Sequence, residues 1–343
     1  METLTLTRPD DCHLHLRDGP ALAAVIGDTA RRFARAVVMP NLSPPLTTVG
    51  AALAYRDRIL EALPMGADFR PLMTLYLTEA TSARELTAAK AAGIVGVKLY
   101  PAGATTHSDA GVGRVEAIYP ALETMQALDL PLLVHGEVTD PAVDVFDREA
   151  VFIDRHLAPL VARFPQLRVV LEHVTTHEGV DFVRDARPGV AASITPQHLS
   201  MNRSALFEGG LRPHHYCLPI LKRERHRAAV LEAAISGDAR FFLGTDSAPH
   251  ARGDKQSACG CAGIYSAHAG IEFYAEAFDQ AGALDRLEAF AAHHGADFYR
   301  LPRNAGTLTL RRGAMAVPES LPFGDDRLIP LRAGGDVAWQ VAD

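Results

Sequence analysis

Two histidines separated by one residue, His13 and His15, are the first residues whose spacing suggests chemistry. Successive side chains of a β-strand point to opposite faces, so residues two apart share a face, roughly 6–7 Å apart along the strand. Two imidazoles on one face can bind one metal ion. The alternative is an ordinary pair of buried or exposed histidines. Arg17 and Asp18 follow directly, which is unusual for a core strand and favours metal binding.

Lys98 stands between Val97 and Leu99 in an apolar run. Lysine is rarely buried unless it is paired or modified. If this side chain points inward, burial lowers its pKa and supplies the neutral amine that reacts with CO2. The resulting carbamate carries a carboxylate that can bridge two metal ions. The alternative is a lysine whose stem lies along the protein while its ammonium reaches water.

Three further candidate ligands follow apolar runs, namely His135 in LLVHGE, His173 in VLEHVTT and Asp246 in FFLGTDSAPH. Neutral imidazole suits zinc, and a carboxylate after an apolar strand needs a partner or a metal ion. Asp246 can be a ligand and also a proton acceptor. Each histidine alone can instead be a core histidine, and Asp246 can instead be a helix N-cap, because Ser and Pro follow it closely.

Short apolar runs alternate with helix-like stretches along the chain. This alternation predicts parallel strands with crossover helices. Eight such units favour a TIM (β/α)8 barrel, an α/β fold, over an open doubly wound sheet, and no GxGxxG motif follows the first strand. The predicted strands lie within residues 4–15, 33–41, 69–77, 95–100, 130–137, 167–174, 189–197 and 240–247. The clearest predicted helices lie at 48–63, 82–93, 115–129 and 222–236.

The candidate residues fall at the carboxyl ends of these predicted strands. In a barrel those ends form the active-site face. We therefore expect one shared site, since chance does not readily place so many such residues at equivalent ends. The polar residues at or near strand ends are His13, His15, Asn41, Lys98, His135, His173 and Asp246.

Composition narrows the class of protein. The 343 residues include 34 Lys and Arg against 41 Asp and Glu, a net charge of −7, which argues against nucleic-acid binding and against a polybasic membrane-surface protein. No apolar run reaches the roughly 18 residues of a membrane span, and the first residues do not resemble a secretory signal. Four cysteines are too few for a disulfide framework, so we expect a cytoplasmic protein.

The chain is predicted to form a single domain over residues 1–343. No internal repeat, low-complexity tract or linker rich in Gly, Ser or Pro divides it. Residues from about 302 to 343 are rich in Pro, Gly and Arg, and we expect them to form a C-terminal tail packed on the barrel.

The arrangement of these residues resembles the binuclear-metal signature of the amidohydrolase superfamily. More closely, the chain resembles the dihydroorotases of the shorter bacterial type (class II), in matching order and spacing from about residue 11 to 267. The segments that carry this resemblance are DCHLHLRDG (11–19), MPNL (39–42), GVKLYPAGATTHSDAGV (96–112), HGE (135–137), EHVTT (172–176), CLPILK (217–222), GTDSAPH (244–250) and GCAGIYSA (260–267).

The resemblance implies a zinc-dependent enzyme of pyrimidine biosynthesis. The implied reaction, the third step of de novo UMP synthesis, is the reversible cyclisation of N-carbamoyl-L-aspartate to (S)-dihydroorotate and water. Two Zn2+ ions per subunit are implied, bridged by carbamylated Lys98 (N6-carboxylysine) and a hydroxide that acts as the nucleophile. Asp246 would complete the first zinc site and act as general base and acid.

The same resemblance divides the four histidines between the two ions. His13 and His15 would hold the more buried ion, and His135 and His173 the more exposed one. It also implies a homodimer with a small-molecule substrate, and the charge balance predicts no nucleic-acid or membrane partner.

Substrate contacts are likewise implied by the resemblance. Arg17, Asn41 and His250 would bind the carboxylate of the substrate, and a guanidinium suits a carboxylate because it can bind it in bidentate fashion. Backbone groups near Leu218 and Ala262 would hold the amides of the ring. From the residues alone, other roles stay open: a rim ion pair for Arg17, a turn cap for Asn41 and a surface position for His250.

A Gly-, Ala- and Ser-rich segment with Thr105 and Thr106 resembles the mobile lid of the family. His107 and Asp109 are neighbours whose effect on lid closure the sequence leaves open. Cys259 and Cys261 form a CxC pair without a second cysteine pair, so we expect reduced thiols rather than a zinc site.

Other functions remain to be weighed. A hydantoinase or allantoinase would share the metal site but should lack the Arg17, Asn41 and His250 set. A phosphotriesterase-like enzyme has no use for a carboxylate-binding set. A metal-free scaffold on the same barrel should have lost ligands, whereas this chain keeps all six.

Overall fold

The computed structural model describes residues 2–258 and 260–342. Cys259 lies outside these described residues. The strands are β1 (Thr3–Thr7), β2 (Asp10–Leu14), β3 (Arg35–Val38), β4 (Arg70–Tyr76), β5 (Gly96–Leu99), β6 (Leu132–Val134), β7 (Val169–Leu171), β8 (Val190–Ile194), β9 (Phe241–Leu243), β10 (Thr307–Ala316), β11 (Leu321–Phe323), β12 (Asp326–Leu328) and β13 (Asp336–Val341).

Helices alternate with the barrel strands. The α-helices are α1 (Gly19–Arg32), α2 (Val49–Glu61), α3 (Ala83–Ala91), α4 (Tyr119–Ala127), α5 (Arg148–Phe152), α6 (Ala158–Arg163), α7 (His177–Asp185), α8 (Pro196–Ser200), α9 (Glu224–Ile235), α10 (Arg252–Lys255), α11 (Gly270–Gln280) and α12 (His294–Phe298). None of the described helices combines the length and the apolar character needed to cross a bilayer.

Strands β2 to β9 form one eight-stranded sheet in which each strand pairs in parallel with the next. Backbone hydrogen bonds join the chain after the last strand to the first strand. The Asp246 N–H donates to the His13 carbonyl at 2.9 Å, and the His15 N–H donates to the Ser247 carbonyl at 3.1 Å. The predicted α/β barrel fold is therefore confirmed, and all eight barrel strands lie within the predicted runs.

The first predicted strand, residues 4–15, is in fact two strands. β1 pairs antiparallel with β10, whereas β2 is the first barrel strand. Pro9 separates them, and a proline cannot donate to a strand ladder. The burial pattern also differs, since β1 is partly exposed and β2 is buried at every position.

The C-terminal segment that we expected as a tail contains strands β10 to β13. β10 pairs with both β1 and β13 in a three-stranded sheet outside the barrel. Trp339 of β13 is fully buried, and its indole Nε1 donates to Asp279 Oδ2 of α11 at 3.3 Å. The guanidinium of Arg312 lies 4.9 Å from the centre of the indole ring. These contacts attach the outer sheet to a helix of the barrel.

Equilibrium unfolding tests the single-domain prediction. Trp339 is the one tryptophan of the chain, so its fluorescence reports on β13, whereas far-ultraviolet circular dichroism follows all the helices. Because Trp339 packs on α11, we expect both signals to change at the same denaturant concentration. Two separate midpoints would show that the outer sheet unfolds independently and would contradict a single domain.

Candidate active site

The candidate residues meet at the carboxyl ends of the barrel strands. They line one pocket. Lys98 lies below it and is fully buried, and His250 contacts the lining residues Arg17 and Ala262. The predicted site residues that line the pocket are His13, His15, Arg17, Asn41, Thr105, Thr106, His135, His173, Leu218, Asp246 and Ala262.

Ligand atoms of His13, His15 and Asp246 converge on one point. The Nε2 atoms of the two histidines are 3.3 Å apart, and Asp246 Oδ1 lies 3.4 Å from the first and 3.1 Å from the second. The His15 Nδ1–H donates to Asn41 Oδ1 at 2.8 Å, which leaves the lone pair of His15 on Nε2. Asp246 caps no helix, because the next helix, α10, begins at Arg252.

His135 and His173 lie beside this cluster, with ring centres 4.8 Å apart. The His135 Nε2–H donates to Glu137 Oε2 at 2.8 Å, so its lone pair is on Nδ1. His173 Nδ1 is buried and has no hydrogen-bond partner within the described residues. The backbone N–H of His173 donates to Ser193 Oγ at 2.9 Å, and this bond fixes the start of the loop that follows β7. Both rings thus present a nitrogen that a metal ion can use.

Lys98 does not reach water, so the alternative of an exposed ammonium is wrong. Its side chain is 0% exposed and its Nζ contacts Glu172, which is also fully buried. Burial lowers the pKa of Lys98, although Glu172 opposes this shift. A lowered amine pKa increases the fraction of neutral amine at neutral pH.

Glu172 links the lysine to the histidine cluster. Besides its contact with Lys98, Glu172 Oε1 lies 3.1 Å from His13 Nδ1. Burial alone would raise the pKa of Glu172, but the charges of His13 and Lys98 lower it to about 2. Asp246 behaves similarly: burial raises its pKa, and His13 and His15 together lower it to about 2.

Backbone geometry at the site is unusual. Arg17, His107, His173 and Asp246 all have positive φ, at 61°, 56°, 44° and 46°. Side chains other than glycine rarely adopt this region, and such residues are enriched at functional sites. These positive φ angles therefore support a functional role for the four residues.

Arg17 and Asn41 lie on the pocket wall, and His250 contacts Arg17. Arg17 Nε donates to the Pro249 carbonyl at 3.0 Å, and its Nη2 lies 2.9 Å from His250 Nε2. Burial and the charge of Arg17 lower the pKa of His250 to about 2, so this imidazole is neutral at pH 7. His250 is buried rather than a surface histidine. The guanidinium keeps N–H donors for a ligand, since it has five.

The predicted lid lies over the pocket. Asn41 Nδ2 donates to the Thr106 carbonyl at 3.1 Å, and Thr106 Oγ1 donates to the Ala262 carbonyl at 3.3 Å. His107 Nδ1 lies 3.2 Å from the Asn41 carbonyl. Asn41 therefore joins the lid to His15 rather than capping a turn.

Sequence reasoning missed several residues that hold the predicted ligands. Glu172 and Glu137 orient His13 and His135, and Glu149 accepts hydrogen bonds from the backbone and hydroxyls of Thr175 and Thr176. A signal existed for the first two, since Glu172 directly precedes His173 and Glu137 follows His135 by two residues, both in buried runs. Glu149 precedes its partners by 26 and 27 residues, and only the fold brings them together.

The donor set fits divalent zinc. His13, His15 and Asp246 form one group of potential ligands, and His13, Glu172 and His173 form another. Imidazole nitrogens and carboxylate oxygens are the donors that zinc uses in enzymes. An oxygen holds the second ring nitrogen of His15 and of His135, which is the usual arrangement around a metal-binding histidine.

Replacing Glu172 tests this arrangement. We expect Glu172→Gln to weaken metal binding about 10- to 100-fold, because the amide lacks the charge that faces His13 and Lys98. Metal content after dialysis against a weak chelator, read by atomic emission, measures the change. The matched control is Glu232→Gln on the exposed face of α9, where the side chain is 72% exposed. Equal metal retention in both variants would contradict a supporting role for Glu172.

Comparison with known proteins gives the family of the chain. Residues 10–318 match the amidohydrolase family. The chain is 65% identical to dihydroorotase from Nitrosomonas europaea, with 99% of each chain covered. A crystal structure of dihydroorotase from Campylobacter jejuni superposes with a TM-score of 0.92 at 36% identity, covering 99% of this chain and 98% of that one.

A second solved structure, dihydroorotase from Saccharomyces cerevisiae in complex with 5-fluoroorotic acid, gives a TM-score of 0.92 at 30% identity and covers 100% of this chain and 99% of that one. These matches extend over the whole length of the proteins compared. The chain therefore belongs to the amidohydrolase family and, within it, to the dihydroorotases.

Proposed function

We propose that this chain catalyses the reversible cyclisation of N-carbamoyl-L-aspartate to (S)-dihydroorotate and water. The observation that carries the proposal is the position of Arg17, which contacts His250, on the wall of the same pocket as the cluster of His13, His15 and Asp246. One substrate can then place its carboxylate at Arg17 and its ring amide at the cluster. The 5-fluoroorotic acid bound by the yeast relative is likewise a ring that carries a carboxylate.

A metal centre belongs to this family of enzymes, and we propose two zinc ions. When bound, such ions supply a nucleophile at neutral pH and polarise the carbonyl that is attacked. Lys98, as a carbamate formed on its neutral amine, would provide a shared ligand. The residues proposed to hold the ions are His13, His15, Lys98, His135, His173 and Asp246.

Asp246 is proposed to move the proton. Its lowered pKa keeps the carboxylate ionised at neutral pH, so it can accept a proton from the attacking water. Transfer of that proton to the ring nitrogen completes ring opening, and the reverse path closes the ring. Asp246 Oδ1 lies close to His13 Nε2 and His15 Nε2, so an ion that these nitrogens hold would also hold the carboxylate.

The remaining pocket residues are proposed to orient the substrate. Arg17, Asn41 and His250 bind the carboxylate, and backbone groups of Leu218 and Ala262 bind the ring. The lid segment excludes water, which strengthens the electrostatic interactions within the pocket.

A homodimer and a cytoplasmic location stay predictions, and sedimentation velocity tests the first.

The direct experiment is an assay of dihydroorotate ring opening, in which the loss of ultraviolet absorbance measures the rate. The protein is purified with zinc and bicarbonate, and hydantoin and allantoin are assayed in parallel. Turnover of dihydroorotate alone is the expected result. Turnover of hydantoin or allantoin instead would agree with the proposed metal site but contradict the roles of Arg17, Asn41 and His250.

Arg17→Met should lower kcat/KM for dihydroorotate by roughly 10- to 150-fold, mainly through KM. The reason is the loss of charged hydrogen bonds to the carboxylate, each of which contributes about 1.5–3 kcal/mol. The matched control is Arg58→Met, because Arg58 is half-exposed and pairs with Asp18 outside the pocket. An unchanged KM in Arg17→Met would rule out carboxylate binding by this residue.

Lysine carbamylation has its own test. With carbon-13 bicarbonate, the folded protein should show a carbamate resonance in its NMR spectrum, because Lys98 is buried with a lowered amine pKa. Lys98→Ala should abolish the resonance and the activity. Lys90→Ala on α3 removes a lysine that bonds the Asp129 carbonyl at the surface, and it should keep both. A resonance that persists in Lys98→Ala would place the modification elsewhere.

A further inference from the structure

We propose that Lys255 is a positioning residue for the substrate pocket. Its ammonium holds together the two segments, residues 216–218 and 261–263, that carry Leu218 and Ala262. This inference rests on the proposed function, because it assigns a role to the peptide that faces the substrate.

Three carbonyls surround the Lys255 ammonium. Nζ donates to the carbonyls of Tyr216 at 2.7 Å, Cys261 at 2.8 Å and Gly263 at 2.7 Å. An ammonium has three N–H donors, so these bonds use all of them. The residue is 4% exposed, although it ends the four-residue helix α10. A buried lysine that bonds only backbone carbonyls ties chain segments together rather than pairing a charge.

The bond to Cys261 acts directly on the peptide that precedes Ala262. The Cys261 carbonyl and the Ala262 N–H belong to one peptide group, and in a trans peptide they point in opposite directions. Fixing the carbonyl on Lys255 therefore fixes the direction of the N–H. Within residues 2–258 and 260–342 this N–H has no hydrogen-bond acceptor, and Ala262 lines the pocket.

The positive charge also strengthens that N–H as a donor. A cation bonded to the carbonyl polarises the peptide, and polarised groups donate stronger hydrogen bonds on their other side. The Ala262 carbonyl, in the next peptide, accepts from Thr106 Oγ1 of the lid at 3.3 Å. Lys255 thus positions both the proposed ring contact and an attachment point of the lid.

Residues 261–263 are closely packed against their neighbours, so their backbone has little room to move. Gly263 has a φ of +152°, and a Cβ there would lie 2.8 Å from both the Ala248 carbonyl and His250 Cδ2. The Gly263 N–H donates to the Tyr216 carbonyl at 3.0 Å, the same oxygen that Lys255 bonds. The two segments therefore meet at one carbonyl and at one ammonium.

The ammonium can lose a proton in an accessible pH range, since burial lowers the pKa of Lys255 to about 8. The titratable groups that face it are Cys217, Cys261, His214 and His250. Burial raises the pKa of Cys217 to about 12 and lowers those of His214 and His250 to about 4 and 2, far from pH 8. Above pH 8 the neutral amine keeps two donors for three carbonyls, so substrate binding should weaken.

The first test is Lys255→Met, assayed with dihydroorotate. We expect KM to rise about tenfold while kcat changes less than about twofold, because uniform binding is lost and the reacting groups are untouched. Bound zinc should be unchanged. The matched control is Lys222→Met, which removes another buried lysine, one that donates to the Ile220 carbonyl at 2.9 Å. An unchanged KM in Lys255→Met would overturn the proposal.

The pH dependence of KM gives a second readout, which begins with the wild-type protein. In the wild-type protein KM should increase above about pH 8, and Cys261→Ser should keep this increase because it removes the thiol and retains the carbonyl. Lys255→Met should lose it. Loss of the increase in Cys261→Ser would assign the titration to the thiol and contradict the role of Lys255.

Hydrogen exchange separates this inference from the proposed function. Backbone amides of residues 260–266 should exchange faster in Lys255→Met than in Lys222→Met, whether or not the protein acts on dihydroorotate. Faster exchange with no dihydroorotate turnover by the wild-type protein would refute the proposed function and keep the positioning of this segment. Unchanged exchange would refute the positioning even if the wild-type protein is active.

Discussion

Closure of the barrel and assembly of the pocket depend on the same hydrogen bonds. The backbone of His13 and His15 bonds the backbone of Asp246 and Ser247, and this pairing joins the first barrel strand to the chain after the last one. The side chains of three of these residues then converge within 3.4 Å. A change in register at this seam would therefore disturb the fold and the ligand cluster together.

The buried charges at the centre of the barrel follow from that convergence. Glu172 faces Lys98 and His13, and these charges offset the penalty of burying its carboxylate. Lys98 remains harder to protonate than an exposed lysine, which suits an amine that must be neutral to react with CO2. The burial that makes charged groups costly at this site thus also favours the neutral form of the Lys98 amine.

Much of this structure was predictable from the sequence, because strand burial and strand ends leave strong local patterns. The eight barrel strands fall within the predicted runs, and the residues predicted at strand ends, apart from the buried Lys98, line one pocket. The break at Pro9 was missed because the LTLT and DDCHL segments both have β-strand character. Glu149 bonds residues 26 and 27 positions away, and Lys255 bonds Tyr216 39 positions away, so no local pattern predicts these contacts.

The outer sheet places the two ends of the folded chain side by side. Thr5 of β1 and Thr309 of β10 share a hydrogen bond although 304 residues separate them. During synthesis on the ribosome, β1 emerges early and has no strand partner until β10 has been made. An unpaired strand edge invites association with other chains. The nascent protein therefore carries an unpaired β1 edge until β10, about 300 residues later, has left the ribosome.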